Sequence, residues 1–380
     1  MGARVLQQIG GHTGSVNTAI FDTTGDYVVS GGQDKRIFLS NANTGRQVQS
    51  YDGHGWAVQG VAINQDGSQL ASCGGDRMVF VWDISTAQIK RKLTGHQQRV
   101  DCVATSKDGS IVASGSFDKT VCIWDMRAAP RSPLQVLKES KDGVASLVMT
   151  DSEIIAGSID NCVRTYDIRM ARVIEDSLGS PVVSVAIPNP QTSMLAVGCM
   201  DNTIQLLDRS NDGNVVATFA GHKCAEYRIQ CDANKKIVVS GSEDGFVYLW
   251  NVVASGDKVT QHTSRLSGHT GIVNSVKLHP QSDSNPEKAF AMYWGSMLQD
   301  KCLAEVTKTT SLKHKHLVYE TSLPKPYRIV HVDPDGNGDD AENPDDMDWI
   351  NKGREERVKR MIRLKITVDE SNQVHEVECG

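Results

Sequence analysis

The chain has 380 residues, 39% of them hydrophobic, and a formal net charge of −6. That balance excludes a disordered chain and offers none of the basic excess typical of nucleic-acid binders. Nine cysteines without a CxxC pair exclude a disulfide framework and a structural zinc site.

Residues 1–8 hold no apolar run resembling a signal peptide, and no apolar stretch reaches 18 residues. A soluble, intracellular protein is expected, with its cysteines acting as small buried residues. Residues 4–9 have the length and apolar content of a strand. Gly-His then recurs at Gly11-His12, Gly53-His54, Gly95-His96, Gly221-His222 and Gly268-His269. The first two intervals are 42 residues, and the 126 from His96 to His222 is three times 42. Two degenerate repeats fill that gap, at residues 141–148 and 179–185. A second landmark keeps the same phase: Ser40-Asn41, Trp82-Asp83, Trp124-Asp125, Tyr166-Asp167, Leu207-Asp208 and Trp250-Asn251. Each period splits into short strands between turns. In the second, residues 59–64, 68–72 and 78–82 are separated by Gln65-Asp66-Gly67 and Gly74-Gly75-Asp76. Four such strands make one blade of a β-propeller, and blades stack because none buries both faces alone.

On these landmarks residues 3–280 resemble the WD40 family. The expected fold is all-β: a seven-bladed propeller over residues 1–306, with residues 4–9 closing blade seven, and a largely disordered charged tail over 307–380. The resemblance implies a buried hydrogen-bonded tetrad of His, Ser, Asp and Trp within a blade. The matching sets are His54, Ser72, Asp76, Trp82; His96, Ser114, Asp118, Trp124; and His222, Ser240, Asp244, Trp250. Such groups must be satisfied when buried, and here they satisfy one another. A set that recurs in every blade is structural, whereas a catalytic triad occurs once.

Blade seven is poorly written. After residues 273–279 no Ser/Asp/Trp pattern follows, so an irregular blade is expected. Its missing strands are sought locally at 288–294 and 303–307, in preference to the alternating segment 362–368. In the tail, residues 331–348 carry eight acidic residues and no Lys or Arg, and read as solvated chain. Residues 349–360 suit a short helix and 361–368 a strand.

No phosphate loop, GxSxG, HExxH or kinase catalytic loop is present. His314 and His316 lack partners at metal-ligand spacing, and in residues 333–340 the Gly sits at the wrong offset for a calcium loop and no Glu follows at its twelfth position. No enzyme activity, cofactor or metal is therefore expected. What remains is surface. The mouth of the channel should gather loops from every blade, and seven residues are expected to ring it as partner-binding anchors: Trp56, Arg99, Asp101, Phe117, Glu226, Tyr227 and Arg228. The plainer alternative is that Phe117 and Tyr227 pack between blades.

Segments in four blades depart from the general repeat: GHGWAV (53–58), the whole of residues 141–170, MDNTIQLLD (200–208), and GHKCAEYRI (221–229) with SGSEDGFVYLWNV (240–252). Together they resemble the mitogen-activated protein kinase organizer branch of WD40 proteins. That resemblance implies a monomeric scaffold in the cytoplasm and nucleus. Its partners would be spliceosomal proteins or components of the extracellular-signal-regulated kinase cascade, with nucleic acid met only indirectly and no membrane. A rival reading is a substrate receptor of a cullin-RING ubiquitin ligase. It rests on Asp118, Trp124, Asp125 and Arg127, and on Asp160, Tyr166, Asp167 and Arg169, which fit the adaptor-docking box of such propellers.

Overall fold

A computed structural model describes residues 2–7, 9–128, 132–168, 170, 172–189, 191–210, 213–252, 259–262, 264–269, 271–280, 290–295, 301–307, 364–368 and 374–379. It divides into two units, Met1–Lys308 and Thr309–Gly380.

Among the described residues the first unit holds seven sheets, one per repeat, each with four antiparallel strands and one of them with a fifth. Their first strands are Val16–Phe21, Val58–Ile63, Val100–Thr105, Val144–Met149, Val182–Ala186, Cys231–Ala233 and Val273–Leu278. Each touches the first strand of the next blade, and the seventh touches that of the first, so the ring is closed. Middle strands such as Met78–Asp83 (MVFVWD) are buried on both faces, as their near-continuous apolar sequence requires. Outer strands such as Ile89–Thr94 (IKRKLT) are largely solvated.

Neighbouring blades share their cores. Trp82 packs with Val29, Ile37 and Tyr51 of blade one, and Trp124 with Ala71, Val79 and Leu93 of blade two. At the inner rim a bulge follows the first residue of the first strand in six blades, and that residue is always a fully buried valine: Val16, Val58, Val100, Val144, Val182 or Val273. In blades two, four and five the valine sits against a glycine of the preceding blade. A Cβ on Gly31, Gly115 or Gly157 would lie 2.6 Å from Val58, Val144 or Val182 respectively. Small residues there let the blades converge on the axis.

Blade seven contains Val273–Leu278, Phe290–Gly295 and Lys301–Thr307, with Gly2–Gln7 as its outer strand. The N-terminal strand thus ends two residues earlier than the 4–9 segment read from sequence. Ile9 instead turns into the core with Val16, Ala19, Val28 and Ala42. Blade five gains a parallel fifth strand, Val259–Gln261, beside Asn214–Ala220. In the second unit Leu364–Val368 pairs antiparallel with Val374–Cys379. The acidic segment 331–348, the helix expected over 349–360, and His314 and His316 lie outside the described residues.

Candidate functional site at the channel mouth

Hydrogen bonds inside each blade decide where its mouth loops stand. In blade two His54 Nδ1 meets Asp76 Oδ2 at 2.8 Å and Nε2 meets Ser72 Oγ at 2.8 Å, while the Trp82 indole N–H donates to Ser72 Oγ at 2.8 Å. Blade three repeats this with His96, Asp118, Ser114 and Trp124 at 2.8–2.9 Å. Blade one keeps His12, Ser30 and Asp34, with Ser40 at the tryptophan position. Each Asp also accepts the backbone N–H that follows the histidine, at Thr13, Gly55 and Gln97. One carboxylate therefore ties the loop leading into the first strand to the turn between strands two and three.

Electrostatics follow from that placement. Burial disfavours charge on both partners, but the pairing overrides it. The Asp118 carboxylate, together with Cys122, raises His96 to about 9. The Asp34, Asp76 and Asp118 carboxyls are held below their ordinary range by their histidines and by backbone N–H donors.

Blade six does not form the tetrad that its sequence spells. His222, Ser240, Asp244 and Trp250 are all present, yet the His222 Nδ1 is buried without a hydrogen-bond partner. The Trp250 indole donates to the Ala220 carbonyl at 3.0 Å, Ser240 bonds the Gly241 carbonyl, and Asp244 accepts from the Tyr248 hydroxyl at 2.7 Å. The cause is a shift in register hidden by an unchanged repeat length. In blades one to three the residue paired with Ser30, Ser72 or Ser114 lies seven positions after the histidine, at Ala19, Val61 and Val103. In blade six Cys231 pairs with Ser240, nine positions after His222. The turn before Ile237–Ser240 is shortened to compensate. The two extra residues swell the loop at the mouth. Burial without a partner drives His222 down to about 4.

Blade four has a different replacement. Ser140 stands where a histidine would, since Lys141 N–H donates to Asp160 Oδ2 at 2.7 Å. A fully buried Arg164 fills the remaining space, 2.8 Å from Asp160 and 3.0 Å from Glu175, and reaches Ser140. The sequence reading missed both Arg164 and Tyr248. The signal was present: each lies four residues after the turn Asp, where blades one to three carry Phe38, Phe80 and Cys122.

On this frame the expected anchors converge. Trp56 is 65% exposed and lies over Gly75, where a Cβ would stand 2.3 Å from the indole Cδ1. Trp56, Arg99 and Arg228 line one cavity of about 630 Å³, together with Lys35 and Gln59. Tyr227, Arg228 and Asp101 line a smaller one of about 150 Å³ beside it. Arg228 reaches across the channel from blade six. Its guanidinium donates to Gln59 Oε1 of blade two at 3.2 Å and pairs with Asp101 of blade three at 3.1 Å. The Arg99 guanidinium covers the Phe117 ring at 4.2 Å and also pairs with Asp101.

One expectation needs correcting. Asp101 is not a surface anchor: its side chain is buried, and it serves as the shared counter-ion of Arg99 and Arg228. Phe117 is half-buried, with the Arg99 guanidinium over its ring. Tyr227 is 47% exposed and does not pack between blades. Its loop is pinned by Glu243, whose Oε1 accepts the backbone N–H groups of Ala225, Glu226 and Tyr227 at 2.7–2.9 Å. Glu226 points to solvent on the same loop.

Among the described residues no group of three His, Cys, Asp or Glu could hold a metal ion. No helix among them is long and apolar enough to cross a membrane. The seven cysteines described are free and buried. In the adaptor-docking box, Arg127 is engaged with Asp108 at 2.9 Å in an exposed pair, and Arg169 lies outside the described residues.

The repeat described as "WD domain, G-beta repeat" matches residues 3–39, 45–83, 87–125 and 213–251. With the ring of blades and the recurrent His-Ser-Asp-Trp bonding, this makes the chain an all-β WD40-repeat β-propeller. Among curated proteins, WD repeat domain-containing protein 83 of Homo sapiens is 36% identical over 115 residues, 30% of this chain and 34% of that protein. An uncharacterized WD repeat-containing protein of Schizosaccharomyces pombe is 36% identical over 118 residues, 30% of this chain and 38% of its own. Eukaryotic translation initiation factor 3 subunit I of Pyricularia oryzae is 25% identical over 105 residues, 22% of this chain and 31% of its own. The matched segments span little more than a third of these relatives at most.

Proposed function

We propose that this propeller is a non-catalytic scaffold that docks other proteins at the mouth of its channel. One observation carries the reading: loops of blades one, two, three and six bring exposed Trp56 and cationic Arg99 and Arg228 around a single cavity. Aromatic and Arg side chains in a pocket are the residues that dominate protein interfaces. WD40 propellers generally serve protein interaction, and the reading needs no chemistry beyond it.

The finer reading places the chain among assembly factors of pre-mRNA splicing, of the extracellular-signal-regulated kinase cascade, or of both, in cytoplasm and nucleus. Its support is the run of unusual segments in blades two and four to six, together with the partial identity to WD repeat domain-containing protein 83. Affinity purification of the tagged chain from cells tests both levels. Trp56→Ala and Tyr227→Ala should each lower partner recovery about tenfold or more, as loss of an anchor worth about 2 kcal/mol implies, with the melting temperature unchanged. Undiminished recovery with both variants folded would move the docking surface elsewhere. The identity of the recovered proteins, splicing factors, kinases or ligase subunits, selects among the finer readings.

A further inference from the structure

The larger cavity at the mouth has a charge bias. Lys35, Arg99 and Arg228 line it beside Trp56 and neutral amides, and no carboxylate is among its lining residues. Beneath it Asp101 supplies one negative charge, buried and shared between the two guanidiniums. One carboxylate against two guanidiniums and an ammonium leaves a local excess of two positive charges. Of the acidic side chains of the neighbouring blade-six region, Glu243 is occupied by three backbone N–H donors, and Glu226 is exposed to solvent and does not line the cavity.

The cations are also held in place. Arg228 is fixed by Gln59 and Asp101, and Arg99 by Asp101 and the Phe117 ring. Lys35 stands 5.8 Å over the Trp56 ring. An anion arriving here meets pre-positioned donors, so little side-chain ordering opposes binding. The exposed indole beside them offers an apolar wall.

We propose that this cavity receives an acidic peptide segment of a partner protein, with Asp or Glu carboxylates against Lys35, Arg99 and Arg228 and an adjoining apolar side chain on Trp56. This rests on the channel mouth being the docking face.

Fluorescence anisotropy of the full chain with a labelled peptide of Glu-Glu-Leu repeats tests it, beside the same peptide with Gln in place of Glu. The acidic peptide should bind, and the Gln peptide should bind about tenfold more weakly or not at all. Raising salt from about 0.05 to about 0.3 M should weaken binding several-fold. Lys35→Glu should weaken it about tenfold or more and should fold normally, since Lys35 is exposed and outside the buried network. Arg99→Gln is a second variant, checked by its melting curve. Equal affinity for the Glu and Gln peptides, or no effect of Lys35→Glu, overturns the proposal. Binding only of a phosphoserine-substituted peptide overturns the carboxylate class. The docking reading fails separately: its sign is undiminished partner capture by Trp56→Ala, whatever the peptide does.

Discussion

At the residue scale, one carboxylate in each of blades one to three decides both stability and loop placement. Asp118→Ala should leave the His96 imidazole without its counter-ion and the Gln97 N–H without its acceptor. The expected cost is about 2–4 kcal/mol, as for other broken buried networks. Thermal melting checks it, and an unchanged midpoint would contradict the bonding described. Two of the buried histidines, His96 and His222, respond to pH in opposite senses. His96, raised to about 9, contributes stability that is complete below its ordinary value near 6.5 and is lost as pH rises through 9. His222 is lowered to about 4, so the folded protein resists protonating it, and stability falls as pH drops from about 6.5 towards 4. In His222→Gln that second loss should vanish. The difference in melting temperature between variant and wild type should grow as pH falls through that window; a constant difference would show that His222 is not buried as a neutral base.

At the element scale, the phase of the two landmarks made blades two and three legible, because there spacing and hydrogen bonding coincide. Blade six shows why spacing alone falls short. Two residues moved from a turn to the mouth loop leave the distance from His222 to Ser240 and Asp244 intact, while removing the contacts that distance usually implies. A polar residue four positions after the turn Asp, Arg164 or Tyr248, was the available clue. In blade four, Arg164 solves a different problem: a buried cation is tolerated because two carboxylates face it. The valine at the head of the first strand in six blades was visible as sequence, but not the partner that Val58, Val144 and Val182 meet, because that glycine lies in the preceding blade. Gly115→Ala tests that contact. Its Cβ would lie 2.6 Å from Val144 Cγ1 and 2.7 Å from Cys102 Sγ, and both side chains are short and stiff. Melting should report a loss of about 1–3 kcal/mol; a neutral or stabilising change would mean the inner rim has slack.

At the scale of the whole molecule, the repeat dictated a closed ring, since every blade buries its faces against two neighbours. Most of the mouth was legible too, because loop residues with aromatic or cationic side chains stand out from blade consensus. What could not be read was which charges pair across the channel. Arg228 meets Gln59 and Asp101 from far along the chain, and only the closure of the ring brings them together. The proposed role of this mouth is to dock proteins. Hydrogen exchange on the chain, free and within the assembly purified from cells, tests it most directly. Docking at the mouth slows exchange in the loops carrying Trp56, Arg99, Phe117 and Tyr227 and leaves the outer strands Ile89–Thr94 and Arg172–Ser177 unchanged. Protection confined to the outer strands, with the mouth loops exchanging as in the free protein, would contradict it.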